Sequence, residues 1–430
     1  MRAASFNDLV SLIAAAKPNA RIQVPSGLTQ SNALIAALQA NPSACQDIVF
    51  AGLFIPGVDT FDYTSLHPTA RMETPLMAPH LREGFAQARV WPLQCSYRKA
   101  YERLARSSHS HPASDIGIAV MTPGEGDTLS FGLAADAGPA ILTGARFKVA
   151  LVNDAAPRVP NARTITAPRS AFDLIIGLEE PLNWVAPEPS PTGPLATIAD
   201  TVASHIRDAD VLQFGIGKLP GTVLSNVAER STSGGLKIHS GLYGEGVADL
   251  LDAGSLASSE DAMLAGVSLG SAALGKRLAA NTHARFAPVS ITHDPRRMSQ
   301  HAAFTAINGA LQVDLFGQVN AEFVGSRLVS GPGGMPDFVA GANLAADGRA
   351  IIAMPASAGS ASRIVPKLET PWVTVPRGLI HLVVTEFGTA DLRGKDLDAT
   401  ATALIAIAPP DHRDRLTEAW GHLRRSLAPT

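Results

Sequence analysis

Short, uninterrupted apolar runs recur along the chain. Ile116-Gly-Ile-Ala-Val, Val149-Ala-Leu-Val, Leu174-Ile-Ile, Ala350-Ile-Ile-Ala-Met and Leu379-Ile-His-Leu-Val-Val are long enough for strands and rich in β-branched residues. Runs of that kind belong to strands covered on both faces, as in a mainly parallel sheet. Between them lie segments with helical spacing, including Ala399 to Ile407 and Arg413 to Leu427. At the start of the chain, Asn7 and Asp8 read as an N-cap, and Leu9, Ile13 and Ala16 fall on one face of a helix from Phe6 to Lys17. An ordinary first helix explains the apolar stretch Leu9–Ala16 better than a signal peptide does.

One arrangement occurs twice. The first copy is a helix, the strand Arg21-Ile-Gln-Val, the turn Pro25-Ser-Gly27 and a helix from Asn32. The second is a helix from Ala196 to Arg207, the strand Asp210-Val-Leu-Gln-Phe, the turn Gly215-Ile-Gly217 and a helix from Thr222 to Glu229. Repetition of one unit predicts a duplicated α/β architecture. Four prolines and a glycine between Trp184 and Pro194 exclude helix and central strand. The expected division is therefore a domain over 1–186, a linker over 187–194 and a second domain over 195–430.

Length and composition agree with this picture. A chain of 430 residues is comfortable for two domains, and 46% hydrophobic with 17% charged residues favours large buried sheets. The net charge is −3 without a basic cluster, which argues against nucleic acid as a partner. No run approaches the ~20 apolar residues of a membrane span. Cys45 and Cys95 are too few for a disulfide framework and read as buried thiols in a reducing cytoplasm.

Gly215-Ile-Gly217 opens like a dinucleotide fingerprint, but its third glycine is replaced by Pro220, and Lys237 stands where an acid is expected. Both departures argue against a nicotinamide or flavin site. Gly215 and Gly217 still expose backbone N–H groups at a helix start, suited to a phosphate or a thioester oxyanion, although a plain tight turn explains them too. His109-Ser-His111 is followed by Pro112 in a Ser-rich loop without further ligand motifs, and no metal is assigned.

Two further stretches carry more specific patterns. Val313-Asp-Leu-Phe-Gly-Gln-Val-Asn-Ala-Glu322 precedes Ser330-Gly-Pro-Gly-Gly-Met-Pro-Asp337, a loop whose backbone can approach a ligand, with Asp337 expected to cap the next helix. Lys237-Ile-His-Ser-Gly-Leu-Tyr-Gly-Glu-Gly-Val-Ala-Asp-Leu places His239 and Glu245 beside three glycines. With Ser362-Arg-Ile-Val-Pro366, Val384-Thr-Glu-Phe-Gly-Thr-Ala-Asp-Leu-Arg-Gly394 and Ala403–Asp411, these stretches resemble the acetyl-CoA hydrolase/transferase family, which includes 4-hydroxybutyrate CoA-transferase. The likeness covers most of the C-terminal half and is weaker before it.

The resemblance implies two similar α/β domains of the CoA-transferase type with the active site between them, and a cytoplasmic homodimer. It also implies an acyl-CoA and a small carboxylic acid as substrates. Coenzyme A then enters as a substrate, with no tightly bound cofactor. Gln318, Asn320, Glu322, Gly333 and Gly334 are carried over as pocket-lining residues beside Gly215 and Gly217. The family's nucleophile is a glutamate in a His-Ser/Thr-Glu run, and here Gly241 occupies its place.

Glu245 is the nearest residue of the right chemistry to replace it, and an equally plain reading puts that side chain in the first turn of a helix from Val247 to Asp252. His239 is the candidate general base, and a hydrogen-bonded structural histidine is the alternative. Glu322 and Glu386 are further carboxylates in family-like segments. Lys218, Lys276, Arg277, Arg327 and Arg363 are the cations available for CoA phosphates. Three activities are compatible with these residues: CoA transfer through Glu245, thioester hydrolysis by activated water, and CoA binding without turnover.

Overall fold

The apolar runs lie side by side as parallel strands. The computed structural model describes residues 4–106, 112–231 and 234–427, so His109-Ser-His111 lies outside the described residues. The described chain forms two compact α/β units. One comprises Met1–Pro187, Ser240–Tyr243 and Met263–His293, and the other Glu188–His239, Gly244–Ala262 and Asp294–Thr430.

In the first unit, seven strands are parallel neighbours in the order Val90–Pro92, Arg71–Thr74, Val49–Ala51, Arg21–Gln23, Ser114–Pro123, Ala145–Val152 and Leu174–Gly177. Thr128–Ser130 and Thr166–Pro168 add an antiparallel extension at the far end of Ser114–Pro123. The six consecutive positions from Gly117 to Thr122 are buried and include no charged side chain, which is what burial on both faces requires. The helix Tyr97–Ala105 packs Tyr97, Ala100, Tyr101 and Leu104 against Ala51, Leu53, Ala140 and Val289.

The second unit repeats the scheme. Lys237–His239, Val211–Phe214, Phe304–Gly309, Arg349–Ala353 and Leu382–Thr385 are parallel neighbours in that order, and Gly388–Asp391 closes the edge antiparallel. Phe304, Ala306, Ile352, Met354 and Val383 share a core with Phe338 and Val339 of the helix Met335–Leu344 and Leu404 of the helix Leu397–Ala406.

Both units open with helix, strand, turn, helix. The elements are Phe6–Ala15, Arg21–Gln23 and Asn32–Gln39 in the first, and Pro194–Ser204, Val211–Phe214 and Lys218–Arg230 in the second. A short 3-10 turn, Gly27–Thr29, intervenes only in the first. The first helix starts at Phe6 as expected but is capped by a different residue and ends at Ala15. Ser5 is its N-cap, and Asp8 accepts a hydrogen bond from the Ser5 N–H at 2.7 Å, so Asp8 is the third helical residue of a capping box rather than the cap itself. Asp337 is likewise not a cap: Gly334 takes that place because Pro336 already sits in the first turn, and Asp337 follows within it. No helix among the described residues is long and apolar enough to cross a membrane.

Candidate active site

In the second unit Gly215, Gly217 and His239 lie at the carboxyl ends of parallel strands, the edge at which open α/β sheets bind ligands. The Val211–Phe214 strand ends in Gly215-Ile216-Gly217, and Gly217 caps the helix Lys218–Arg230 with φ 105°, a conformation that only glycine adopts without strain. Side chains added at Gly215 or Gly217 would meet nothing within 4 Å, so the turn borders open space. Its helix start therefore keeps the N–H groups suited to an anion accessible from one side.

The neighbouring strand Lys237–His239 ends in His239, which is 3% exposed. Its Nδ1 lies 2.9 Å from Nε2 of His301, and the two rings meet edge to face with Phe304 beside them. One imidazole of such a pair must donate an N–H and the other accept it, so at least one is neutral. Burial and then the Lys237 ammonium hold His301 below the usual imidazole range, opposed by Asp261. Lys237 in turn ion-pairs with Asp261 at 2.7 Å, which draws the Asp261 carboxyl down to about 2.

Glu245 stands immediately before the helix Val247–Asp252. Gly246 is the N-cap, which corrects the placement of Glu245 inside the first turn: Asp249 is the acid there and accepts from the Ser225 hydroxyl. The Glu245 carbonyl accepts the Ala248 N–H at 2.9 Å. A Cβ on Gly246 would lie 2.6 Å from the carbonyl oxygen of Gly221 and 3.0 Å from Leu224 Cβ. Glycine at 246 thus lets the Glu245 turn press against the first turns of the Lys218–Arg230 helix, the same helix that Gly217 caps.

The carried-over residues of the 313–334 stretch have different surroundings. Asn320 is fully buried; its amide donates to Phe323 O at 2.9 Å and Gln312 Oε1 at 3.1 Å, while its oxygen accepts from the N–H groups of Glu322 and Phe323. Gln318 donates to Asp314 Oδ2 at 2.8 Å. Glu322 accepts from Trp372 Nε1 at 3.0 Å and the Thr374 hydroxyl at 2.9 Å. These side chains spend their hydrogen bonds on fixing the loop. Gly333, with φ 56°, and Gly334 lead into the helix Met335–Leu344. Glu386 accepts from the Ala356 N–H at 2.8 Å.

Of the cations, Lys218 and Arg327 are exposed and Arg363 is half-buried. Lys276 is exposed on the first unit, at a cavity of about 610 Å³ that Asn153, Glu180 and Trp184 also line. A cavity of about 1070 Å³ among Phe316, Arg377, His381, Arg393 and Lys395 lies at the opposite end of the second unit's sheet, before Leu382–Thr385 begins and after the antiparallel Gly388–Asp391 ends.

In the first unit lies a group that the motif reading passed over. Gly241 O accepts the Gly266 N–H at 3.0 Å, and Gly266 O accepts the Ala135 N–H at 2.9 Å. A Cβ on Gly266 would stand 2.7 Å from Cβ of Asp136 and 3.0 Å from Gly241 O. Asp136 is therefore a neighbour of Gly241. Burial pushes its carboxyl up to about 6, and hydrogen bonds from the N–H groups of Ala137 and Asp136 itself offset part of that rise. Asp59, 2% exposed, accepts from Gly27 N–H at 2.8 Å and Ile55 N–H at 2.6 Å, yet burial still raises it to about 7. Tyr243, fully buried, anchors the Gly241 segment by donating to Arg285 O at 3.1 Å. The sequence signal for Asp136 was a single acid within Leu133-Ala-Ala-Asp-Ala-Gly138, an otherwise apolar stretch.

Comparison with known proteins gives this arrangement its family. The acetyl-CoA hydrolase/transferase C-terminal domain matches residues 270–420. A 4-hydroxybutyrate coenzyme A transferase of Clostridium kluyveri is 34% identical over 307 residues, 70% of this chain and 70% of that enzyme. The chain belongs to the acetyl-CoA hydrolase/transferase family.

It is thereby an enzyme of the CoA-transferase or acyl-CoA hydrolase type. The succinyl-CoA:acetate/propanoyl-CoA:succinate CoA transferase of Fasciola hepatica is 31% identical over 320 residues, 72% of this chain and 66% of that one. Among solved structures, RipA from Yersinia pestis superimposes with a TM-score of 0.84 at 25% identity, over 98% of this chain and 100% of RipA. A 4-hydroxybutyrate CoA-transferase from Porphyromonas gingivalis does so with a TM-score of 0.76 at 26% identity, over 99% and 98%. The two-domain α/β fold with mainly parallel sheets is the fold of these family members.

Proposed function

We propose that this protein is an acyl-CoA:carboxylate CoA-transferase that exchanges CoA between small carboxylic acids, with Glu245 in place of the glutamate that Gly241 lacks. The observation that supports this reading is the packing of the Glu245 turn against the helix capped by Gly217. That packing brings the backbone of the Glu245 turn to the helix whose start offers N–H groups to an oxyanion, which supports a role for its carboxylate. In that reading Glu245 attacks the thioester carbonyl, the released CoA thiolate attacks the resulting anhydride, and the glutamyl-CoA thioester then passes CoA to the second acid. His239, tied to His301, is the candidate base or orienting group. The named activities of the relatives, on 4-hydroxybutyrate and on succinate, acetate and propanoate, point to short acids as the substrate class. Gln318, Asn320 and Glu322 belong to this reading as the side chains that hold the pocket loop, and Gly333 and Gly334 as its close-approach backbone.

The test is covalent trapping. The purified chain is incubated with butyryl-CoA, then treated with borohydride or hydroxylamine and digested for mass spectrometry. Modification of Glu245, ping-pong kinetics with acetate as acceptor, and loss of both in Glu245→Gln are expected; a label on no glutamate sinks the covalent route. A homodimer is the expected assembly, and light scattering reads it directly.

A further inference from the structure

The cavity of about 1070 Å³ in the second unit has no part in CoA transfer as read above. It opens at the amino end of Leu382–Thr385, whereas Gly215, Gly217 and His239 stand at the carboxyl edge of the same sheet. Three loops build it. Phe316 and Gly317 come from the turn between Gln312–Asp314 and Val319–Asn320, Pro376 to Ile380 precede Leu382–Thr385, and Leu392 to Asp396 join Gly388–Asp391 to the helix Leu397–Ala406. Gly378, with φ 83°, and Gly394, with φ 67°, hold two of these loops in the left-handed region, and a Cβ at either would meet nothing within 4 Å. Their backbone is therefore open to a close-lying ligand.

The charges that line this cavity are unevenly engaged. Arg393 is spent on Asp391, donating to its two carboxylate oxygens at 3.0 and 2.7 Å. Asp396 caps the helix Leu397–Ala406 by accepting the Ala399 N–H at 2.8 Å. His381 is a neutral wall: its Nδ1 accepts the Ala350 N–H at 3.0 Å, and burial, then the Arg393 guanidinium, hold it below the usual imidazole range, opposed by Asp391. Arg377 and Lys395 are exposed, and among the described residues neither side chain makes an ion pair or a hydrogen bond. Lys395 adds only a minor pull on the Asp391 carboxyl, which Arg393 already holds low. The remaining walls are apolar: Phe316, whose ring meets Trp420 edge to face, the buried Ile380, Leu392, and Leu397, which is 41% exposed.

We propose that this cavity is a second ligand site, for a nucleoside diphosphate or triphosphate, with Arg377 and Lys395 as its phosphate anchors and Phe316 and Leu397 as apolar walls for the base. A bare inorganic anion is too small for a space of this volume, which lies at the upper end of the range for organic ligands. An uncharged ligand leaves both cations without a partner. The occupant therefore carries an anion and an apolar body together. A polyphosphate has oxygens enough for two separate cations and for the open backbone at Gly378 and Gly394, which a single carboxylate lacks. The inference stands independently of the transferase reading, because every residue it uses lies away from Gly217, His239 and Glu245 in the second unit.

The experiment is equilibrium dialysis of the full chain against labelled ADP, with inorganic phosphate, succinate and CoA as competitors. Saturable binding of one ADP per chain is expected, retained when CoA is present in excess. Arg377→Ser and Lys395→Ser should each weaken ADP binding by about tenfold or more. Neither side chain has a partner to lose, so both variants are expected to keep the wild-type circular dichroism spectrum and thermal midpoint. ADP binding that both variants retain at wild-type strength overturns the proposal. So does displacement of ADP by CoA, which places the nucleotide in the substrate's own site. Displacement by phosphate or succinate at concentrations equal to that of ADP overturns it as well, since the apolar walls then contribute nothing and the patch is a general anion binder.

Discussion

Asp59 shows how much a single buried carboxyl changes with its surroundings. Two backbone N–H groups satisfy it, and desolvation still wins, placing it at about 7. An acid whose folded value lies above its unfolded value near ~3.9 favours the folded state in its protonated form. That contribution is complete below about pH 4 and is lost as pH rises through 7. Asp136, at about 6, acts with the same sign. Urea unfolding should therefore show a stability decline from pH 4 to pH 7 on the order of a few kcal/mol from these groups. Asp59→Asn is expected to flatten that slope, and an unchanged slope would show that Asp59 does not carry it. The motif residues could be named from the sequence at this scale, but their hydrogen bonds could not. Nothing in Val-Asn-Ala-Glu reveals that Asn320 and Glu322 face Phe323, Trp372 and Thr374, partners that include residues some fifty positions away in the chain.

Elements were more legible than their ends. The apolar runs became strands because β-branched residues covered on both faces have few other stable arrangements. The ends shifted wherever a cap or a distant partner decided them, as Ser5, Gly246 and Gly334 show. Arg163 is an instance of distant control. Its guanidinium donates to Ala279 O at 2.6 Å, Ala284 O at 3.2 Å and Leu278 O at 3.4 Å, and also to Asn281 O, so it satisfies carbonyls left over at the end of the helix Ala272–Ala280. Arg163→Ala should cost about 3 kcal/mol in chemical denaturation, the scale of a charged donor withdrawn from half-buried carbonyls. A loss under ~0.5 kcal/mol would mean that water replaces the guanidinium. Gly266 is read the same way. It is a glycine because Asp136 and Gly241 press on it, a fact that concerns three chain segments and no local pattern.

For the molecule as a whole, the second unit is braced at the amino ends of its strands by a buried ion pair. Arg349 contacts Asp210, the His205 carbonyl and Thr305 Oγ1, the last at 3.0 Å; Asp210 is fully buried, and Arg207 joins it at 3.3 Å. Removing one member strands the other charge, so Asp210→Ala is expected to lower stability by about 3–5 kcal/mol. Asp210→Ala combined with Arg349→Met should recover part of that loss. Equal destabilisation by the single and the double variant would argue against the pair. The sequence by itself determined the fold class and the family, because the burial of apolar runs and the backbone demands of glycine turns are written locally and recur at fixed spacing. It also raised the expectation that Gly241 stands where the family carries its glutamate. Only the tertiary structure decided which carboxylates stand near what. Glu245 came to the Gly217-capped helix through the close approach at Gly246, and Asp136 came to Gly241 through Gly266, because proximity across a fold is set by packing between segments far apart in the chain.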